Sequence, residues 1–321
     1  VENTSNLRHF QRICHSIDRT LALISDQEMH NYSPDLLVTM GGAIISKKIK
    51  AFLRKNKAAV NYRVGQFLFE EDTYQSLTRS FNVRPTAFFN FIGSLDKTVT
   101  SNFGGKWKQK DFLANEIHTN YLEEAPFSDL KAFELILDTI PDDSNLHMAN
   151  SSVVRYCQLF NPIRGVSYYS NRGVSGIDGS TSTALGIAIS SPEKLNLLIS
   201  GDTSFFYDSN AFWNNYLSSN FRVLVINNGG GGIFKIIDGP NQSPQAHHFV
   251  AEFNAKIKSI CEAFNVHYLV ANSARELEAV FHNFYEIKED GRPVLLEVNT
   301  WEIENEKVLK NYFKKIAKGS P

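Results

Sequence analysis

Cysteine, methionine and tryptophan are scarce, with three of each in 321 residues. Cys14, Cys157 and Cys261 lie far apart, are odd in number and lack metal-ligand spacing. That excludes a disulfide framework and a cysteine zinc site, and it fits free buried thiols in a reducing, cytoplasmic compartment. Neither sign of charge is in excess. A net charge of −1 gives no reason to expect nucleic acid or an anionic membrane as partner. No apolar run approaches the roughly 20 residues of a membrane span. No GxGxxG follows the first candidate strand, so nothing argues for a dinucleotide. His247-His248 has no cysteine or carboxylate spaced with it for zinc, and DGPNQSPQAHH around it reads as a turn-rich loop. Val1 is not an initiator methionine and no signal peptide precedes it, so the chain is expected to start inside a longer protein or after trimming.

What is present is a composition of 42% hydrophobic and 21% charged residues, that of an ordinary globular protein with room for two domains. The most informative stretch is Leu195–Phe234. Leu195–Ser200 is a short apolar run ending in Gly201-Asp202. Thr203–Leu217 has apolar residues at helical spacing. Phe221–Ile226 is a second apolar run, ending in Asn227-Asn228 and four glycines. Strand, helix and strand make a βαβ unit in a parallel sheet, and ligands of such sheets sit beyond the carboxyl ends of the strands. Asp202 and Asn228 fall at those ends. A carboxylate, an amide oxygen and a main-chain carbonyl from the glycine run suit octahedral Mg²⁺. The helix starting near Ser204 directs free N–H groups to the same place, which favours a phosphate. The prediction is a Mg²⁺–diphosphate site; the plain alternative for each dipeptide is an ordinary turn.

The rest of the chain alternates β and α. His9–Ile24 is expected to be helical, with Phe10, Ile13, Cys14, Ile17, Leu21 and Ile24 on one face. Leu36–Met40, Tyr62–Phe69 and Ala87–Phe91 are strand candidates, and Ala43–Arg54 is an amphipathic helix. These suggest a small Rossmann-like domain over residues 1–125, with a helix over 104–125 leading out and Pro126 marking the boundary. Residues 126–321 form the second domain. Helices are expected at Ser128–Ile140, Ser180–Ile189, Ala255–Phe264 and Ala274–Tyr285. Six strands, at Leu146–Ala149, Val166–Tyr169, Leu195–Ser200, Phe221–Ile226, Val266–Val270 and Val294–Val298, complete a parallel sheet. The fold class is therefore α/β, with two doubly wound parallel-sheet domains. Asn150-Ser151 are expected to cap a helix on which Ser151 and Arg155 share a face. Arg172 stands near a strand end, either facing a ligand or paired with Asp178. Lys47 and Lys48 are either a solvated helix face or part of a strand-to-helix crossover that faces the site.

Gly201-Asp202 followed about 25 residues later by Asn227-Asn228 resembles the diphosphate and Mg²⁺ motif of thiamin diphosphate enzymes, with Thr203 where glycine is usual. SNRGVSGIDG at Ser170–Gly179, NNGGGGIF at Asn227–Phe234 and NSSVVR at Asn150–Arg155 resemble the 2-succinyl-5-enolpyruvyl-6-hydroxy-3-cyclohexene-1-carboxylate synthases, the MenD family of menaquinone biosynthesis. The resemblance implies that residues 126–321 are a pyrophosphate-binding thiamin-enzyme domain and residues 1–125 the central domain. It implies a transferase that decarboxylates 2-oxoglutarate with thiamin diphosphate and Mg²⁺ and adds the product to isochorismate. It implies that Asp202, Asn228 and Gly230 hold the metal. Ser175, Gly176, Ile177, Gly201, Asp202, Thr203, Ser204, Asn228, Gly230 and Ile233 would hold the cofactor, with Ile177 propping its bent shape. Ser151, Arg155, Arg172, Lys47, Lys48, Phe234 and Ile237 would contact substrate. Lys48 stands where the family carries Arg, which Lys cannot replace as a bidentate fork. The family's activating Glu belongs to an N-terminal pyrimidine-binding domain that no segment here resembles. No catalytic residue is therefore assigned within this chain, which is expected to be inactive alone. A homodimer or homotetramer is implied. Another thiamin enzyme, of the 2-oxo acid decarboxylase or acetolactate synthase type, and a non-catalytic cofactor-binding scaffold are the competing readings.

Overall fold

The computed structural model describes residues 1–7, 14–66, 71–95, 100–232, 234, 250, 253–286, 290–301 and 303–319. They build two sheets in which every strand pairing is parallel. The smaller has three strands, β1 (Leu36–Thr39), β2 (Val60–Val64) and β3 (Arg79–Phe81), in that spatial order. The larger is built from β4 (Asn145–Met148), β5 (Ser167–Tyr169), β6 (Asn196–Gly201), β7 (Phe221–Asn227), β8 (His267–Ala271) and β9 (Val294–Asn299). Their order is β5-β4-β6-β7-β9-β8. The expected α/β class with parallel sheets is the class observed.

Helices cover both faces of the larger sheet, which is why its central strands are mostly apolar and buried, with only single polar residues such as His147, Arg222 and Glu297 among them. Leu197, Ile199, Leu224, Ile226, Leu296 and Val298 face one core. It is shared with α5 (Asp129–Leu137), α6 (Ser152–Cys157), α10 (Ala274–Tyr285) and α11 (Asn305–Lys318). Leu198, Val223, Val225 and Leu295 alternate with them and face a second core against α7 (Ser180–Ser190), α8 (Asp202–Tyr207) and α9 (Ile257–Ala263). The remaining helices, α1 (Ile17–Ala22), α2 (Lys47–Lys55), α3 (Pro85–Ser94) and α4 (Phe103–Glu124), surround the smaller sheet or lead from it. The first core also takes in Leu23, Ile45, Ala114 and Ile117, so buried contacts join the two sheets. Buried Arg19 of α1 adds hydrogen bonds to the Leu159 carbonyl (3.0 Å), Asn115 Oδ1 (2.7 Å) and Asn161 Oδ1 (2.8 Å). Among the described residues no helix is long and apolar enough to cross a membrane.

The chain leaves β4 for the edge strand β5, then returns to lay β6 on the other side of β4. Strand order reverses between β4 and β6. Ligands of open parallel sheets bind outside the carboxyl ends at such a point.

Several expected elements differ. Ala87–Phe91 is not a strand but part of α3. Pro85 sits in the first turn, where its missing N–H removes no bond and its φ suits a helix. The third strand of the small sheet is Arg79–Phe81, too short to stand out by alternation. Of the helix expected over His9–Ile24, residues 14–16 are not helical and 9–13 lie outside the described residues. α2 starts at Lys47 rather than Ala43, because Ser46 Oγ accepts the Ile49 N–H and fixes the cap there. The helix expected over Thr203–Leu217 stops at Tyr207 and gives way to a 3₁₀ turn over Ser209–Trp213. Asp208 leaves the helix to accept from the Ser182 N–H (2.7 Å) and Oγ (2.6 Å) in the first turn of α7. The loop reading of His247-His248 lies outside the described residues.

Candidate functional site

A cavity of about 410 Å³ opens at the carboxyl ends of β4, β6 and β7. It lies where strand order reverses. Ser151, Ser175, Gly176, Ile177, Gly201, Asp202, Thr203, Ser204, Asn228, Gly230 and Phe234 all line it. Segments more than 80 residues apart in sequence are thus drawn to one chamber. Ile233 and Ile237 lie outside the described residues.

Asp202 follows β6 directly. Its Oδ2 accepts from the N–H groups of Gly229 and Gly230, both at 2.9 Å. Its Oδ1 accepts from the Thr203 N–H (2.5 Å) and hydroxyl (3.1 Å). Burial pushes the Asp202 carboxyl up from its ordinary range, and these hydrogen bonds oppose the rise. Gly229 and Gly230 take φ of +81° and +123°, and the second passes so near Val250 that a Cβ would meet its carbonyl at 2.4 Å. Only glycine allows that approach. Ser204 Oγ donates to the Ile177 carbonyl at 2.6 Å, tying α8 to the loop before α7. α8 starts at Asp202, close to the start expected near Ser204.

The expected cap of α6 differs. Neither Asn150 nor Ser151 caps it through a side chain. Asn150 Nδ2 donates instead to the carbonyls of Asn171 (2.7 Å) and Gly176 (2.6 Å), and Arg172 donates to Asn150 Oδ1. Ser151 is left at φ +71°, a strained conformation for a residue with a Cβ. Arg155 folds back so that its guanidinium donates to the Ser151 carbonyl, one turn away. Arg172 bonds Asn150 and feels the charge of Glu2; no described interaction joins it to Asp178.

Lys47, Lys48 and Arg155 meet in a second cavity of about 160 Å³, with Asp18 among its walls. Ser152 lines both cavities, so the two adjoin. Lys48 Nζ lies 3.5 Å from the centroid of the Phe313 ring. Burial lowers its pKa, against the raising effect of Asp18. Burial and the neighbouring Arg172 charge lower that of Arg155. Cations held together without enough counter-charge suit an anionic ligand.

The larger cavity has the opposite character. None of its described lining residues is Lys, Arg or His, whereas both Asp129 and Asp202 line it. Burial pushes the Asp129 carboxyl up to about 6, with Asp202 adding to the rise. The Asp202 carboxylate, an amide oxygen and backbone carbonyls, without sulfur or imidazole, fit a hard divalent cation, and the second carboxylate, Asp129, is occupied by Asn228 and Thr300. The size falls within the range of small-molecule sites. Residues present therefore fit the metal part of a metal–diphosphate group.

Residues 150–298 match the family described as thiamine pyrophosphate enzyme, C-terminal TPP binding domain. Over 319 residues the chain is 40% identical to the 2-succinyl-5-enolpyruvyl-6-hydroxy-3-cyclohexene-1-carboxylate synthase of Flavobacterium psychrophilum, which covers 99% of this chain and 57% of that one. The synthase so named in Flavobacterium johnsoniae is 39% identical over 99% of this chain and 56% of its own. That of Christiangramia forsetii is 42% identical over 98% and 54%. The chain is a relative of these synthases. The resemblance seen in SNRGVSGIDG, NNGGGGIF and NSSVVR is thereby borne out. The chain spans just over half the length of the curated synthases it matches.

Around the cavity of this synthase relative stand residues that sequence reading did not single out: Asp129, Phe133, Asn150, Tyr207 and Val250. Asp129 was legible only as an acidic helix start and Asn150 only as a cap. Their roles depend on contacts 99 and 26 residues away, which no local pattern records.

Proposed function

We propose that this chain is the cofactor- and substrate-anchoring part of a thiamin diphosphate- and Mg²⁺-dependent synthase, a transferase of menaquinone biosynthesis. It would join 2-oxoglutarate, after loss of CO₂, to isochorismate. The observation that carries the reading is the convergence of Asp202 and Asn228 from adjacent strands on one acid-lined cavity, with no Lys, Arg or His among its described lining residues. When bound, the cofactor supplies the carbanion chemistry of decarboxylation and carbon–carbon bond formation.

The protein's part is binding and orientation. Asp202, Asn228 and the Gly230 carbonyl hold Mg²⁺, and the first N–H groups of α8 face the diphosphate. Ile177, Ser175 and Gly176 pack on the cofactor. Lys47, Lys48 and Arg155 in the adjoining cavity bind substrate carboxylates, Ser151 in the larger cavity contacts substrate, and Arg172, which lines neither cavity, is assigned to the same role through its bond to Asn150. Both substrates are polyanionic, which fits this cluster of cations. Charge-assisted contacts contribute about 1.5–3 kcal/mol each. Phe234, which lines the cavity, contacts substrate. We assign residues 1–125 to a central Rossmann-like domain and 126–321 to the pyrophosphate-binding domain. No catalytic residue is assigned here. The activating acid is expected in the remaining length of the protein, so the chain alone would be inactive. Tyr207 lines the cavity yet is 67% exposed, and Val174, one residue before the lining Ser175, is 98% exposed. Such a mouth suits a second subunit, at least a homodimer. The free thiols suit the cytoplasm.

The test assays the full-length protein with 2-oxoglutarate and isochorismate, alongside calorimetry with thiamin diphosphate and Mg²⁺. Turnover that depends on both substrates, and cofactor binding abolished by Asp202→Ala, are expected. Turnover of pyruvate without isochorismate would replace the reading with a decarboxylase or acetolactate synthase type. Cofactor binding untouched by Asp202→Ala would remove the metal assignment.

A further inference from the structure

The Asn228 amide has two ends, and only the oxygen end can serve a cation. Something must choose between them. Asp129, the first residue of α5, is 1% exposed and points its carboxylate at this amide. Its Oδ2 accepts from Asn228 Nδ2 at 2.9 Å. A carboxylate only accepts, so the nitrogen end is drawn to Asp129 and the oxygen end is left for the cavity. No hydrogen bond among the described residues uses Asn228 Oδ1. The opposite rotamer would set oxygen against oxygen in a buried place.

The carboxylate is itself held from several sides. Asp129 Oδ1 accepts from the Thr300 hydroxyl at 2.5 Å. The Asp129 N–H donates to Asn305 Oδ1 at 2.7 Å, and Asn305 Nδ2 donates to the Thr300 carbonyl at 3.1 Å. The Thr300 N–H donates to the Asn227 carbonyl at 2.8 Å, closing a ring that joins the starts of α5 and α11 to the ends of β9 and β7. Gly232 packs against the same amide, where a Cβ would lie 2.8 Å from Nδ2.

We infer that Asp129 is a positioning residue that sets the polarity of the Asn228 amide, so that its oxygen faces the bound cation. This rests on the proposed cation site. Asp129 does not itself ligate the cation. It acts as an outer-shell partner, and loss of such partners weakens metal binding roughly 10- to 100-fold.

Asparagine at position 129 keeps the shape and the space but offers either polarity to Asn228. In the full-length protein, Asp129→Asn should unfold at close to the wild-type temperature. It should bind Mn²⁺, measured by electron paramagnetic resonance with thiamin diphosphate present, roughly 10-fold or more weakly. The exchange Asp129→Asn with Asn228→Asp reverses the hydrogen bond, conserves charge and puts oxygen at both ends of residue 228. It should restore Mn²⁺ affinity to within a few-fold, which no role in folding alone would produce. Asp202→Ala serves as reference. If Asp202→Ala weakens Mn²⁺ binding and Asp129→Asn does not, the inference on Asp129 fails while the cation site stands. If the exchanged pair fails to recover affinity, the inference fails likewise. If neither single variant weakens binding, the cation site is wrong and the inference falls with it.

Discussion

Arg172 donates to Asn150 Oδ1 at 2.5 Å while the nitrogen of the same amide clasps the Asn171 and Gly176 carbonyls. One buried side chain at the end of β4 therefore fixes a cation and both ends of the loop that lines the cavity. Asn150→Ala leaves two carbonyls and a guanidinium without that partner. A buried polar group left unmade costs about 1–3 kcal/mol. The expected loss of stability is about 2 kcal/mol or more, read as a lower denaturation midpoint, with weaker thiamin diphosphate binding in calorimetry. An unchanged midpoint would show that the loop is held by other contacts.

Gly230 and Gly186 should respond oppositely to alanine. At Gly230 a Cβ meets the Val250 carbonyl at 2.4 Å in a backbone of φ +123°. The turn must shift, and the N–H that it gives to Asp202 shifts with it. Gly230→Ala should lower cofactor affinity about 10-fold or more, comparable with removing an outer-shell partner. Gly186, inside α7, has open space around it. Gly186→Ala should stabilise the protein by about 0.5–1 kcal/mol. Thermal melts and cofactor titrations of the two variants distinguish these outcomes.

Arg155 shares its small cavity with Lys47 and Lys48. On the proposed function, Arg155→Ala should raise the KM for isochorismate by one to two orders of magnitude, the equivalent of about 1.5–3 kcal/mol, with cofactor affinity little changed. Arg155→Lys should recover only part, because an ammonium cannot present a fork to a carboxylate. Steady-state kinetics on the full-length variants checks both.

His118 carries a pH dependence of known sign. Its Nδ1 lies 2.8 Å from the Tyr312 hydroxyl, and burial beside Arg19 drives its pKa down from 6.5 to about 3. Between those values the unfolded chain binds a proton that the folded chain refuses. Stability from this group is complete above 6.5 and drains as pH falls toward 3. Each unit is about 1.4 kcal/mol, so by about pH 4 the loss reaches roughly 3 kcal/mol. His118→Gln removes the titration. Denaturation at several pH values should show a shallower acid loss in the variant by up to that amount. Parallel curves for the two proteins would contradict it.

The convergence of Asp202 and Asn228 on one cavity was readable because each lies just past the end of a mostly apolar strand. Gly201-Asp202 and Asn227-Asn228 straddle the ends of β6 and β7, so chain order alone brings them side by side once the two strands pair. Arg79–Phe81 and Ala87–Phe91 were misjudged for the opposite reason. Three residues are too few to show alternation, and a phenylalanine-rich helix mimics a buried strand. Asp208 shows how a tertiary bond overrides local periodicity: its capping of α7 ends α8 early.

By itself the sequence determined the α/β class, the parallel pairing implied by its βαβ alternation, and the residue types at the strand ends. These depend on spacing and side-chain chemistry along the chain. Only the tertiary structure decided which distant groups face them: Asp129 against the Asn228 amide, Asn150 across the loop to Gly176, and Arg155 beside Lys47 and Lys48. Such partners are joined through space by hydrogen-bond geometry and shared burial. Neither leaves a periodic trace in the order of the residues.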